Sequence, residues 1–496
     1  MKYIKLSLVA AALTCMFAAS VNAEDAKPKR VLKNNMQEVY KTLPASVNNI
    51  FDAFSKGEFY GRLRTNAFKW DWKNDQVNDD NKAFGIGGSM IYKTAPLHGL
   101  SATAGLYYAN NPFSSLREDD ADVGDVKAGK DTFSRYNVKT DGDWSMAVLA
   151  QAYIQYDVSK TSFKVGRQIF ESFLTKSNDT KMIPNTFEGY TVTMNEIPKT
   201  TIRGAYFNSQ KLRDHTTFHD VLTFKDSSGE SWNNNDDAAV HKGLNYTNLS
   251  AKGKEENELV VVDLKNKSID NLVVDVTYGS VPGLLSSLTG ELNYKIKLGD
   301  KLSLTPGIRH MEQFDNGAGE IGGASLSGTL AGLSGVQRGY KDASTLDTSL
   351  TMARLVLTDG ILKVQVGYSA VADEADIVAP WRGFPTGGYT RAMAQYNWRA
   401  DTKTTSAEVY YDFGKAKILD GFSALARYAI QDFDEDKQAG GVQADSNILH
   451  IDLRKQFTPT FDAKLRMAFV DADERVADGV DKDSYNEYRF EINYLF

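Results

Sequence analysis

Ten basic residues recur at alternating positions along separate segments of this chain: Arg62, Arg64, Arg203, Lys297, Arg309, Lys363, Arg427, Arg454, Arg466 and Arg489. A guanidinium stays charged at physiological pH and meets a carboxylate through two parallel hydrogen bonds. A row of such groups on one wall could therefore guide carboxylates. Glu408, Asp412, Asp452 and Glu491 share that wall, so the alternative is a set of charge pairs that merely hold water. A second group lies in stretches without periodicity. Lys176, Asn178, Asp179 and Lys181 are polar enough to line a constriction, or are simply solvated loop residues. Trp381, Arg382, Tyr389, Arg391 and Tyr396 mix aromatic faces with bases. That mixture suits a small carboxylate bearing an apolar body, or the packing of a loop against a rim.

The residues offer little for making bonds. Of six histidines, His215 and His219 have the i, i+4 spacing of a zinc pair, which works only on a helix with a third ligand. They lack the adjacent glutamate of a zinc protease. No phosphate-cradling glycine loop and no nucleophile elbow occurs. No catalytic residue, metal or cofactor is expected. The acidic runs at 118–125 and 434–436 lack a regular calcium-ligand spacing. They are read as solvated loops facing lipopolysaccharide, with divalent ions between.

Strands must position the basic row. Tyr488, Phe490, Ile492, Tyr494 and Phe496 alternate with Arg489, Glu491 and Asn493, the period-2 pattern of a strand with one apolar and one charged face. Leu292, Tyr294 and Ile296 alternate in the same way with Asn293, Lys295 and Lys297. So do Val364, Val366 and Tyr368 with Lys363 and Gln365, and Leu465 and Met467 with Lys464 and Arg466. Segments of about 9–11 such residues cross a bilayer at a tilt, with lipid on one face and a watery lumen on the other. Tight turns at Gly299-Asp300, Asp359-Gly360 and Thr458-Pro459 alternate with long polar stretches at 111–142, 210–255, 313–344, 371–403 and 434–446. The pattern predicts an all-β fold: a transmembrane antiparallel barrel with short periplasmic turns and long extracellular loops. A direct count gives about nineteen runs, which cannot close with both ends in the periplasm. Counting back from Phe496 places 389–398 inside one outer loop, and about 18 strands remain. Closure then sets the first strand beside the last and gathers Arg62, Arg64, Arg427, Arg454, Arg466 and Arg489 into one patch.

The amino-terminal end fits export. Lys2 and Lys5 precede an apolar stretch, and Val21-Asn22-Ala23 is a small-x-small cleavage site. Residues 1–23 are read as a secretory leader. The lone Cys15 sits in a poor lipobox, and the remaining chain would hold no thiol, as suits an oxidising periplasm. Residues 24–57 are read as an amphipathic periplasmic segment or one tucked into the barrel mouth. There Met36, Val39, Tyr40 and Leu43, then Val47, Ile50, Phe51 and Phe54, fall at helical spacing, with Ser46 as a cap. The barrel domain spans 58–496. The mean hydropathy of -0.39 does not argue against a barrel, whose membrane signal lies in alternation. The formal charge of -7 becomes -9 once Lys2 and Lys5 are removed, and this excludes nucleic-acid binding by charge.

Several stretches resemble the OprD-type outer-membrane porins. V-G-R-Q (165–168) followed by S-N-D-T-K-M-I-P-N-T-F-E-G-Y (177–190) resembles that family's third-loop region. Y-Y-D-F-G followed by G-F-S-A-L-A-R-Y (410–428) resembles its strand-turn-strand near the C-terminus, and N-E-Y-R-F-E-I-N-Y (486–494) its closing strand. W-R-G-F-P-T-G-G-Y-T-R (381–391) resembles a long seventh loop. The resemblance implies an 18-stranded barrel, monomeric or homotrimeric, in the outer membrane of a Gram-negative bacterium. It further implies a third loop folded inward, a ladder of lumenal bases, and passive uptake of small hydrophilic nutrients. The residues add carboxylates or amino acids as the preferred class. Partners would be those solutes, outer-membrane lipid and lipopolysaccharide. The rival readings are a general non-selective porin and a barrel enzyme or adhesin acting through its outer loops. The long stretch 210–255 matches nothing in that family.

Overall fold

A computed structural model describes residues 30–32, 38–40 and 45–496, apart from 75–78, 120–122, 124–125, 127–128, 179–180, 225–240, 329–336, 394–395 and 477. A short helix, α1 (Ile50–Ser55), precedes the strands. The barrel strands run β1 (Glu58–Trp72), β2 (Asn81–Lys93), β3 (Leu100–Asn110), β4 (Ser145–Val158), β5 (Thr161–Gln168) and β6 (Thr186–Met194). They continue as β7 (Thr200–Lys211), β8 (Leu259–Asn266), β9 (Leu272–Val281), β10 (Leu285–Tyr294, prolonged by Ile296–Lys297), β11 (Ser303–Asp315) and β12 (Thr348–Thr358). The last six are β13 (Leu362–Val371), β14 (Lys403–Asp412), β15 (Phe422–Asp432), β16 (Ser446–Thr458), β17 (Phe461–Ala472) and β18 (Tyr485–Leu495). Every neighbouring pair is antiparallel, and β18 pairs with β1 to close 18 strands into a barrel. Closure removes every edge, so each backbone polar group in the wall can find a partner away from lipid.

The wall is inside-out relative to a soluble protein. On β1 the buried face carries Tyr60, Arg62, Arg64 and Asn66, whereas Phe59 and Leu63 are exposed. Ile154, Val165, Leu292, Tyr428 and Ile430 are likewise exposed on other strands. These apolar side chains form the lipid-facing surface. The chain crosses the membrane by strands, and no described helix is long and apolar enough to do so.

Strand lengths run from 8 residues in β5 to 15 in β1, so some strands extend well beyond the expected 9–11. Most connections alternate as expected, the short outer connection 282–284 and the longer periplasmic one 413–421 being exceptions. Short turns such as 159–160 and 359–361 lie at one end, and loops 111–144, 212–258, 316–347, 372–402 and 433–445 at the other. The segment 389–398 belongs to a loop, outer loop 7 (372–402), as the backward count required. Residues 186–190, taken with the third loop in the sequence, belong to β6, which confines outer loop 3 to 169–185.

The barrel is not an empty tube. Phe170 and Leu174 of loop 3, Val221 and Leu222 of outer loop 4 (212–258), Leu326 of outer loop 6 (316–347), and Trp381, Tyr389 and Trp398 of loop 7 form one buried apolar cluster with Phe187, Phe207 and Met311 of the wall. The loops are anchored by a core of their own inside the outer half of the barrel.

Within 24–57 the described residues depart in part from the expected helical spacing, and Met36 and Leu43 lie outside the described residues. Val39 and Tyr40 lie in a short strand, Glu38–Tyr40, that pairs with Arg30–Leu32 and sets Val31 opposite Val39. The helix is confined to Ile50–Ser55, and its cap is Asn49, not Ser46: the Asn49 side chain accepts the Asp52 N–H at 2.8 Å. Nor does α1 enter the barrel mouth; Ala53 packs on Val47, Ala95 and Leu97 at the β2–β3 turn. Residues 1–23, the expected leader, lie outside the described residues.

Candidate functional site: the passage between outer loops 3 and 7

Loop 3 crosses the lumen because both of its ends are tied to opposite walls. On one side the Lys181 carbonyl accepts from Asn66 Nδ2 at 2.7 Å and from the Arg64 guanidinium, both on β1. On the other side the Ser172 hydroxyl donates to Asp263 Oδ1 of β8 at 2.7 Å. Asp263 also accepts from Thr277 Oγ1 at 2.8 Å and pairs with Arg203 at 2.5 Å. Loop 7 joins loop 3 through two backbone hydrogen bonds, Lys176 N to Trp381 O at 2.9 Å and Gly383 N to Leu174 O at 2.7 Å. Thr175 and Arg382 thereby form an isolated bridge. Arg382 takes a left-handed φ of 65°, and a Cβ at Gly383 would overlap the Leu174 backbone. Only glycine permits that approach.

Between these loops and strands β7–β11 lies a cavity of about 690 Å³. Lys176, Arg203, Arg309 and Arg382 line it together with Glu171, Asp263, Asp275 and Glu291, and Phe173 and Phe384 supply apolar faces. Burial holds the Lys176 ammonium below its ordinary pKa; repulsion from Arg203 and Arg309 adds to this and Glu171 opposes it. Arg309 donates to Glu291 at 2.7 Å and to the Gly387 carbonyl at 3.1 Å, and lies over the rings of Phe173 and Tyr389 at 4.8 and 4.7 Å. Arg354 reaches the other Glu291 oxygen at 3.1 Å and the Gly388 carbonyl at 2.8 Å. Two guanidiniums therefore pin loop 7 while sharing one carboxylate.

The same stoichiometry recurs around the wall. Glu408 lies between Lys363, at 2.8 Å, and Arg427. Asp452 lies between Arg466, at 2.9 Å, and Lys464, at 3.7 Å. Three carboxylates thus hold six cations, an excess of three positive charges, with the buried Glu491 on the same wall as a further acid. Arg454 pairs with Asp462 at 2.5 Å and Arg489 with Glu487 at 2.5 Å. Arg62 and Arg64 are buried beside the β1–β18 seam, where Arg64 Nε donates to Asn493 at 2.9 Å. Lys297 lies apart from the patch, exposed at the periplasmic end of β10.

The loop candidates divide. Lys176, Asn178 and Arg382 line the cavity. Arg382 is fully buried beside Asp214 (3.5 Å) and Asp131 (3.9 Å). Lys181 turns away from the cavity; its ammonium lies 4.0 Å from the centre of the Phe68 ring, and burial pushes its pKa well down. Trp381 is buried and donates to the Val221 carbonyl at 2.9 Å, so it packs the loops together. Tyr389 lies under Arg309 and Arg354. Arg391 stacks on Phe384 at 3.3 Å, and Tyr396 packs edge-on against Trp398 at 5.0 Å. Asp179 lies outside the described residues. His215 and His219 sit in loop 4 without a helix, and their ring nitrogens bond to each other at 2.8 Å. Sequence reasoning missed Arg354 and Asp263 as well as Phe173 and Phe384. Arg354 carries the usual signal, since it alternates with Ala353 and Leu355; the two phenylalanines lie in loops, where no period exists.

A model of the OprD family of outer-membrane porins matches residues 122–496. The chain belongs to this family. It is a porin of the Gram-negative outer membrane, where it contacts lipid and passes small solutes. Family and fold are those of a non-enzymatic channel. No curated protein sequence matches the chain. Among solved structures, OpdK of Pseudomonas aeruginosa, determined with vanillate, superposes with a TM-score of 0.65 at 12% identity, covering 89% of this chain and 99% of OpdK. OccK8 (OprE) of the same organism gives 0.66 at 14% identity, covering 90% of this porin and 99% of OccK8. OccAB4 of Acinetobacter baumannii gives 0.66 at 15%, covering 89% and 98%. At such identities these likenesses concern the fold.

Proposed function

We propose that this OprD-family porin admits small carboxylates and amino acids by diffusion, that the cavity between loops 3 and 7 is its selective passage, and that it makes no covalent bond. The observation that carries the reading is the sharing of Glu291, Glu408 and Asp452, each by two cations. A lumen with surplus guanidinium and ammonium groups attracts anions and repels cations. Phe173 and Phe384 beside Arg309 and Lys176 add a place for an apolar body attached to the carboxylate. Vanillate, found with the structurally similar OpdK, is a molecule of that kind. One barrel encloses the whole passage, so we take a single chain as the transporting unit, alone or within a homotrimer.

The second reading, a non-selective porin, is favoured by the fact that many lumenal bases have an acid within 4 Å. Uptake of labelled glutamate, benzoate and lysine into proteoliposomes separates the two. Glutamate and benzoate entering several-fold faster than lysine supports selectivity. Equal rates support the non-selective porin. Folded protein that admits none of the three would move the function to the outer loops.

A further inference from the structure

Among the described residues, helix α1 leaves three large apolar side chains mostly uncovered: Ile50 is 68% exposed, Phe51 77% and Phe54 58%. Its charged residues lie apart from them, Asp52 and Lys56 pairing with each other at 3.0 Å. Ala53 is the side chain that the helix buries against the described residues. The helix is therefore amphipathic over its short length, and its position decides what the apolar side meets.

That position is on the outside of the barrel. On β2 the buried Ile91 packs with Tyr60 and Tyr107 inside the wall. Its neighbour Tyr92 must point outward by alternation. The Tyr92 hydroxyl donates to the Phe54 carbonyl. Below it the Ala95 N–H donates to Ala53 O at 2.8 Å and the Val47 N–H to Pro96 O at 2.8 Å. These bonds hold α1 against the outer side of the β2–β3 turn, at the short-turn end. The surrounding outward surface is apolar: Phe59, Leu100 and Tyr156 are exposed, and Phe496 lies 6.2 Å from Phe59.

We propose that α1 is an interfacial anchor, with Ile50, Phe51 and Phe54 inserted at the acyl–headgroup boundary of the periplasmic phospholipid leaflet. The helix would extend the barrel's aromatic girdle next to the β1–β18 seam. Its apolar side is continuous with a surface that already faces lipid, and its charged side is turned away, which favours lipid over a second copy of the chain.

The test uses the full chain with Cys15→Ser, so that one introduced cysteine can carry a nitrobenzoxadiazole probe. Phe51→Cys, Lys56→Cys and the lipid-facing Leu63→Cys are reconstituted in phosphatidylethanolamine–phosphatidylglycerol vesicles. The vesicles contain lipids bearing a nitroxide near the headgroup or deep in the chain. The proposal expects quenching at Phe51→Cys to exceed that at Lys56→Cys at least threefold, and to be stronger with the shallow nitroxide. Leu63→Cys reports the level for a residue in contact with lipid. Equal, weak quenching at residues 51 and 56 overturns it. A water-like emission at residue 51 would then mean that the helix lies in the periplasm. A blue-shifted, unquenched probe, or disulfide-linked dimers of Phe51→Cys, would mean that protein covers it. Ile50→Cys serves as the second site if Phe51→Cys does not yield a heat-modifiable barrel.

Discussion

Replacing Arg309 with glutamine should move the ion preference of the pore towards cations by about tenfold. Arg309 and Arg354 share Glu291, so the trio carries two positive charges and one negative, and the substitution takes it from +1 to zero. A cavity of about 690 Å³ corresponds to a sphere of about 5.5 Å radius, so a lining charge stands about 6 Å from an ion at its centre. At about 6 Å a unit charge changes the energy of a monovalent ion by about 0.7 kcal/mol in a water-like dielectric, and by about 2.8 kcal/mol at an effective value of 20. An anion loses that amount and a cation gains it, so the lower figure already gives about 1.4 kcal/mol, or tenfold, in the ratio of permeabilities. Reversal potentials across a potassium chloride gradient measure the ratio. The shift should be larger at low salt, where screening is weaker. Glu291→Gln should move the ratio by a similar factor towards anions. If folded Arg309→Gln keeps the wild-type reversal potential at low salt, the cavity does not set selectivity and the reasoning fails.

Other perturbations probe other parts of the account. Neutralising Arg466 and Arg489 together removes two wall cations, leaving Asp452 with Lys464 and His450; the reversal potential should again shift towards cations, and an unchanged value would mean that these arginines only balance acids. Deleting Phe496 removes two backbone hydrogen bonds to Gly61, at 3.1 and 3.2 Å. The yield of heat-modifiable barrel should fall while the conductance of folded molecules stays the same, and an undiminished yield would contradict the role given to this residue. Gly383→Ala places a methyl group against the Leu174 backbone, at a cost of about 1–3 kcal/mol; noisier and larger single-channel currents should follow as loops 3 and 7 separate. Burial raises the Asp220 carboxyl in loop 4 to about 6. The folded state then binds its proton more tightly than the unfolded state, so the associated stability is full below about pH 4 and is lost as the pH rises through 6. Protection of loop 4 amides, taken as exchange rates corrected for base catalysis, should be higher at pH 5 than at pH 7.5, and Asp220→Asn should remove that difference.

The barrel was legible because its lipid and lumen faces impose a period of two. Leu63 between Arg62 and Arg64, and Phe490 between Arg489 and Glu491, fix the faces before any coordinate is known. The same signal was present for Arg354, which was overlooked because its acid partner, Glu291, lies two strands away across pairings whose register the sequence does not reveal. Loop packing carries no such period. Nothing in F-E-S-F-L-T-K (170–176) says that Leu174 will meet Gly383, or that Lys181 will lie over Phe68 instead of lining the passage. The amino-terminal segment misled for a related reason: a few apolar residues at helical spacing, Val39 and Tyr40 among them, are also compatible with a short strand pair.

The central claim is that charged groups between loops 3 and 7 make this barrel a passage for small carboxylates. Single-channel recording in planar bilayers tests it most directly, with benzoate and the cationic benzylamine added in turn to one side. The account predicts a stable ohmic pore that benzoate interrupts in a concentration-dependent manner, with benzylamine at the same concentration leaving the current unbroken. Equal block by both solutes, or an open current undisturbed by either, would contradict it.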